Sequence, residues 1–348
     1  MSSILKTSKI LNQYNYFFPK ELIAQKPASP RNSARLLVYA RNKEQITYDT
    51  FINLGKYLPK HAVLVFNETK VIPARVELKK ATGGKVKILY IATEQELVKV
   101  MADRNIPIGS QLYLGKKSVF SVERQQEQFY FLRPLFSDRS VESFLEKHGT
   151  APLPPYIKHS PLVGSKLRKE YQTVFAKYSG SVAAPTASLH FTKSLLRRLR
   201  QQGFGIEFVT LHVNLGTFAP LREAQLQEGK LHSEYYEINR KTLERLNQYK
   251  KEGRLIIAVG TTVVRTLESA SDTRRNISQE KGDTNLFIRP GYDFKFVDGI
   301  ITNFHVPQSS LLMLIAAFVG QKKILSLYQK AIRKKFRLFS FGDGMLII

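Results

Sequence analysis

Apolar residues gather in short dense runs near the start of the chain. Leu36–Ala40 and Ala62–Asn67 are compact apolar stretches that suit buried strands. From Gly83 to Arg133 the texture becomes finer. Brief β-branched and aromatic pieces follow one another at 86–92, 97–101, 111–115, 117–122 and 128–133. Gly83-Gly84, Pro107, Gly109 and Gly115 punctuate them, and no helical period outlasts a single turn. This pattern predicts a small antiparallel β-barrel of about 60–80 residues. The proline-rich stretch Ala151–Tyr156 marks its exit, which sets the expected domains at 73–150 for the barrel and 1–72 plus 151–348 for the remainder.

That remainder alternates strands and helices. Thr192 predicts the cap of a helix running to Gln202, with Leu195, Leu196 and Leu199 on one face and Gly203 as its stop. Ile206–Val213 reads as a strand. Leu255–Val259 reads as a buried strand of the parallel kind, followed by the turn Gly260-Thr261-Thr262 and a helix through Ser269. Ser309 caps a further helix, 321–338 makes a last, very basic one, and Met345–Ile348 supplies a closing strand. The expected fold class is α/β: a mixed α/β main domain with a small antiparallel β-barrel domain inserted.

Composition narrows the chemistry. Cysteine is absent from the 348 residues, which excludes disulfides, thiolate metal sites, iron–sulfur clusters and thiol nucleophiles. Lys plus Arg number 54 against 28 Asp plus Glu, a net charge of +26. A field of that sign draws in polyanions, with nucleic acid first among them. The longest apolar run, Leu311–Val319, falls well short of the roughly 20 residues a membrane span needs, and Lys6 and Lys9 break any N-terminal apolar core. A cytoplasmic protein with no membrane partner is expected, and nothing in the pattern requires more than a monomer.

Reactive side chains concentrate between Pro185 and Phe218. His212 alternates with Leu211 and Val213, so by itself it reads as a core histidine with a hydrogen-bonded ring; His190 and His305 admit the same reading. Their spacing matches no dedicated zinc site, and no metal is expected. Gly260-Thr261-Thr262 sits between a strand and a helix, where free backbone N–H groups form an anion site, and Arg265 one turn later offers a bidentate grip. Two basic clusters stand out, Lys193/Arg197/Arg198/Arg200 and the 322–337 segment with Lys334 and Lys335. Either is a solvated helix face or a phosphate-contacting one, and Arg197, Arg198, Lys334 and Lys335 are the candidate RNA contacts.

Taken together these segments resemble one family, the S-adenosylmethionine:tRNA ribosyltransferase-isomerases of queuosine biosynthesis. The blocks that carry the resemblance are 66–75, 152–157, 171–176, 182–187 with 189–191, 210–213 with 216–218, 232–234, 258–262, 265–269, 290–292 and 302–305. Pro307, Leu311–Leu314 and Gly342-Asp343 complete it. The resemblance implies an enzyme that consumes S-adenosylmethionine as a ribosyl donor rather than using a resident cofactor. Its partner is a tRNA carrying 7-aminomethyl-7-deazaguanine at the wobble position, and the products are epoxyqueuosine-tRNA, adenine and methionine. The reaction needs a base beside the sulfonium, an acid for the leaving adenine, and an anion site for the methionine carboxylate. On that footing the catalytic candidates are His212 or His190 as base, with Glu234 and Asp343 in acid or amine-handling roles. The substrate-binding candidates are Thr186, Thr217, Gly260, Thr261, Thr262, Arg265, Asn303 and His305. Two other classes remain to be separated by assay: a conventional methyltransferase, which lacks its glycine-rich loop here, and an RNA-binding protein without turnover.

Overall fold

The computed structural model describes residues 10–136, 140–214, 221 and 223–348. Its strands are β1 (Arg35–Ala40), β2 (Gln45–Thr50), β3 (Val63–Asn67), β4 (Thr69–Val71), β5 (Arg75–Lys80), β6 (Lys85–Glu94), β7 (Leu97–Ala102), β8 (Gln111–Leu114) and β9 (Lys117–Gln126). They continue as β10 (Phe129–Pro134), β11 (Tyr178–Ser181), β12 (Gly205–Leu211), β13 (Lys230–Glu237), β14 (Ile256–Val259), β15 (Lys281–Leu286), β16 (Gly299–Asn303) and β17 (Gly344–Ile347).

The strands β5–β10 close into a barrel in the order β10-β7-β6-β5-β8-β9, antiparallel at every junction. Alternation drives this: Val76, Leu78, Val86, Ile88, Val98, Val100, Leu112 and Val122 point inward, while their neighbours face solvent. The helix Val141–His148 lays Phe144 and Leu145 against the same core. Chain entry and exit lie side by side, since the Arg75 and Thr150 backbones exchange N–H···O bonds of 3.2 and 2.7 Å. The expected α/β class with an inserted antiparallel barrel is therefore the fold the chain adopts.

The larger sheet has nine strands in the order β15-β13-β12-β3-β14-β16-β17-β1-β2. Its centre, β12-β3-β14-β16, is parallel. Strands β3 and β14 are buried at every residue, as expected for strands covered on both faces. One face packs on the helices Thr261–Ala270, Ser310–Val319 and Gln321–Arg333. The other packs on Lys193–Gln201, capped by the Thr192 side chain accepting from the Leu195 N–H at 3.1 Å. No single helix among the described residues is long and apolar enough to cross a membrane.

One element departs from the pattern. The last helix ends at Arg333 rather than 338, because Lys335 turns left-handed (φ 55°). That turn lets Phe336 and Leu338, both 0 % exposed, drop into the core instead of continuing around the helix. The segment after it then reaches the carboxyl edge of the parallel strands.

Candidate active site

Ligands of open α/β sheets bind outside the carboxyl ends of the parallel strands. A cleft lies there. Its floor is formed by Val213 beyond β12, Gly260–Thr262 after β14, and Thr302–Val306 at the end of β16. Ala183–Ala187 and Pro155-Tyr156 build one wall, and Phe339-Ser340 builds another. The Tyr156 hydroxyl meets Ser340 Oγ at 2.7 Å, tying the walls together.

The β14-to-helix turn is the site's most distinctive element. Gly260 holds φ 100° and ψ 153°, a region that side chains with a Cβ avoid. The helix Thr261–Ala270 starts directly after it with no side-chain cap, so its first N–H groups and the positive end of its dipole face the cleft. Thr262, 9 % exposed, carries a buried hydroxyl with no partner in the fold. An unsatisfied buried hydroxyl beside an uncapped helix N-terminus is an arrangement completed by an anionic or acceptor-bearing ligand.

Asn303 is the polar hub. Its Oδ1 accepts from Thr186 Oγ1 at 3.1 Å, and its Nδ2 donates to the Phe339 carbonyl at 3.2 Å and the Asp343 carbonyl at 3.4 Å. The same amide nitrogen lies 3.3 Å from His190 Nε2. Because the amide only donates, His190 Nε2 is the acceptor and its proton sits on Nδ1. His305 also faces the cleft, with Nε2 2.8 Å from Thr302 Oγ1 and its backbone N–H donating to the Tyr328 hydroxyl at 2.9 Å. Its carbonyl accepts from Tyr16.

Burial drives the pKa of His305 down to about 3, and that of His190 down to about 3 with help from the Arg337 and Arg31 charges. Both rings are neutral near pH 7. The unfolded chain, with histidines at the ordinary 6.5, therefore takes up protons that the native fold refuses. The stability these rings contribute is complete above about pH 6.5 and drains away as pH falls toward about 3. Acid titration followed by circular dichroism is expected to show this loss, and His190→Gln is expected to move the midpoint to lower pH; an unmoved midpoint contradicts it.

Of the sequence-derived binding residues, the cleft gathers Thr186, Gly260, Thr261, Thr262, Asn303 and His305. Thr217 lies outside the described residues. Arg265 is not free to grip a ligand. It is 5 % exposed, bonds Glu234, and donates to the Leu286 and Thr284 carbonyls at 3.1 Å each. The carboxylate it holds is the protein's own.

The four residues expected to be catalytic also sit off the cleft lining. Glu234, 2 % exposed, is committed to Arg265 and to the Asn214 N–H at 3.0 Å. Asp343, 1 % exposed, accepts from the Arg35 and Arg337 N–H groups at 3.1 and 2.9 Å and from the Arg337 guanidinium. Both read as braces rather than proton donors. His190 is stacked on Phe51 at 4.2 Å behind Asn303. His212, just past the end of β12, turns away from the cleft that Val213 lines and bonds Thr69 Oγ1 through Nδ1 at 2.9 Å. Gly180 lies directly on that ring, where an added Cβ would come within 2.9 Å of the imidazole. Burial lowers the His212 pKa, so this ring too is neutral.

Sequence reading passed over Thr302, Tyr156 and Ser340. The first two lie in blocks already singled out, and their signal was proximity to His305 and Pro155. Ser340 had none, since only the early end of the last helix brings it to the cleft.

Comparison with known proteins matches this architecture. A family profile described as "Queuosine biosynthesis protein" matches residues 11–347. A Carboxydothermus hydrogenoformans protein described as S-adenosylmethionine:tRNA ribosyltransferase-isomerase is 45% identical over 344 residues, covering 97% of this chain and 99% of the relative. One from Halothermothrix orenii with the same description is 43% identical over 343 residues, covering 97% and 99%. The crystal structure of S-adenosylmethionine tRNA ribosyltransferase from Thermotoga maritima aligns over 97% of this chain and 100% of its own, at 31% identity and a TM-score of 0.55. The fold is that of a transferase-isomerase enzyme. The chain belongs to the queuosine biosynthesis tRNA ribosyltransferase-isomerase family.

Proposed function

We propose that this enzyme transfers and isomerises the ribosyl moiety of S-adenosylmethionine onto 7-aminomethyl-7-deazaguanine at the tRNA wobble position. Epoxyqueuosine-tRNA forms, and adenine and methionine leave. The observation that carries the reading is the uncapped helix start at Thr261 with the orphaned Thr262 hydroxyl beside it, which suits the methionine carboxylate. S-adenosylmethionine is consumed, so no resident cofactor is required. The enzyme works as a cytoplasmic monomer.

The sulfonium acidifies the adjacent ribose carbon, which lessens the basicity demanded of the protein. Among the three histidines considered, His305 alone lines the cleft, and its neutral ring is available to hydrogen-bond the substrate there. We therefore give His305 a substrate-positioning role, with His190 holding Asn303 in its donor orientation and His212 supporting β4 through Thr69. The substrate amine is the nucleophile and attacks in its neutral form.

Incubating the enzyme with labelled S-adenosylmethionine and tRNA bearing the precursor base tests the reaction. Free adenine and methionine are expected; S-adenosylhomocysteine would indicate a methyltransferase, and tRNA retention without products a binding protein. In the same assay His305→Ala is expected to cut adenine release by about tenfold or more, the scale of a lost hydrogen bond to a charged substrate. His212→Ala is expected to lose less, and the reverse ranking would return the base role to His212.

A further inference from the structure

Two basic clusters compete for the polyanion, and the topology separates them. The helix Lys193–Gln201 packs Leu195, Leu196 and Leu199 on the rear of the sheet and runs away from the cleft. It ends at Gly203 beside His61, and the Gly205 N–H donates to the Ala62 carbonyl ahead of β3. Its exposed Arg197 and Arg200 therefore project toward the amino ends of the parallel strands.

The end of the last helix lies at the opposite edge. Arg35 opens β1 next to Leu36, which pairs with Gly344, and Gly344 pairs with Asn303 at the cleft floor. The Arg35 guanidinium holds the Lys334 carbonyl at 2.7 Å. Beyond it Leu338 bridges to Ile23, Gln25 Oε1 accepts from the His159 N–H at 2.9 Å, and Tyr156 meets Ser340 at the cleft wall. These contacts, with the groove that Lys26 and Lys166 line together beside Arg31 and Glu170, set Lys334, Lys335, Lys26, Lys158, Lys166 and Lys169 along one rim. It passes the cleft mouth and ends near the barrel, where Arg168 bonds the Glu146 carbonyl at 2.8 Å. All six lysines are exposed, and among the described residues none is in an ion pair. The acids interleaved with them are already neutralised: Glu170 by Arg31 at 3.2 Å, Glu146 by Arg168 at 3.3 Å, and Asp343 by Arg337 at 2.9 Å.

We infer that tRNA lies along this rim, its phosphates on the six lysines, and that the 193–201 helix makes no contact with it. The inference rests on the tRNA-modifying reading above. A cation left unpaired beside the cleft is placed to release counterions when a phosphate backbone arrives, whereas one at the far edge of the sheet is not.

Binding of an unmodified tRNA transcript, measured by filter retention across a salt series, decides it. The variants are K334E/K335E, K166E/K169E and R197E/R200E, each checked for a wild-type melting curve. Either rim pair is expected to weaken binding at least about tenfold at low salt, and to flatten the slope of log Kd on log salt by about 1.5. R197E/R200E is expected to stay within about twofold of wild type, its charges lying outside the contact. Rim variants that bind like wild type, or a loss confined to R197E/R200E, overturn the inference while leaving the tRNA reading intact. Wild-type enzyme that fails to bind tRNA at any salt overturns both.

Discussion

Arg265→Leu is expected to cost about 3–5 kcal/mol of stability, because it strands the Glu234 carboxylate in a site 2 % exposed. Arg265 ties two strands to the helix that follows β14, reaching Glu234 on β13 and the Thr284 and Leu286 carbonyls on β15. Glu234 in turn holds the Asn214 N–H, the last described residue before 215–220. Loss of the pair therefore disturbs the cleft floor beside Val213 as well as the fold. The Arg265→Leu/Glu234→Leu double variant is expected to recover much of the stability, since it removes the buried charge rather than orphaning it. Urea unfolding of the three proteins measures both effects. A single variant within about 1 kcal/mol of wild type would show that the pair is not the brace described here.

The second large effect is expected at the β14 turn, and it splits binding from stability. Thr262→Val removes a hydroxyl that has no partner within the fold, so the melting temperature is expected to hold or rise. Affinity for S-adenosylmethionine, read by calorimetry, is expected to fall about tenfold or more, the worth of a hydrogen bond to a charged group. Gly260→Ala is expected to lose both. Its Cβ meets only ordinary contacts, 3.6 Å from Thr262 Oγ1 and 3.8 Å from Ala187 Cβ, so crowding is not the cause. The cost is backbone strain at φ 100°, about 1–3 kcal/mol, relieved by rotating the N–H groups away from the ligand. Thr262→Val with unchanged affinity would remove the anion site from the helix start.

Local signals carried most of the architecture. Alternating residues between Val86 and Leu132 were legible as a barrel because each strand's inward face is written in its own sequence. Caps at Thr192 and Ser309 were legible for the same reason, each bonding an N–H three residues on. What stayed hidden was long-range pairing. Arg265 looks like a ligand grip until Glu234, 31 positions away, is found in its fork. His212 and Val213 are neighbours just past β12, and only the packing shows that the cleft takes Val213 while Gly180 and Thr69 take the imidazole. The early stop of the last helix depends on core space for Phe336 and Leu338, which no helical period encodes.

Strand β17 has a consequence for how the molecule is made. In the nine-strand order it stands between β16 and β1, so among the described residues the β1–β2 hairpin joins the rest of the sheet through residues 344–347. On the ribosome, the hairpin emerges roughly 300 residues before its parallel neighbour, and Leu36–Tyr39 lack that strand until it follows. The nascent polypeptide completes this layer only once residues 344–347 have emerged, and until then one edge of β1 presents unpaired N–H and C=O groups.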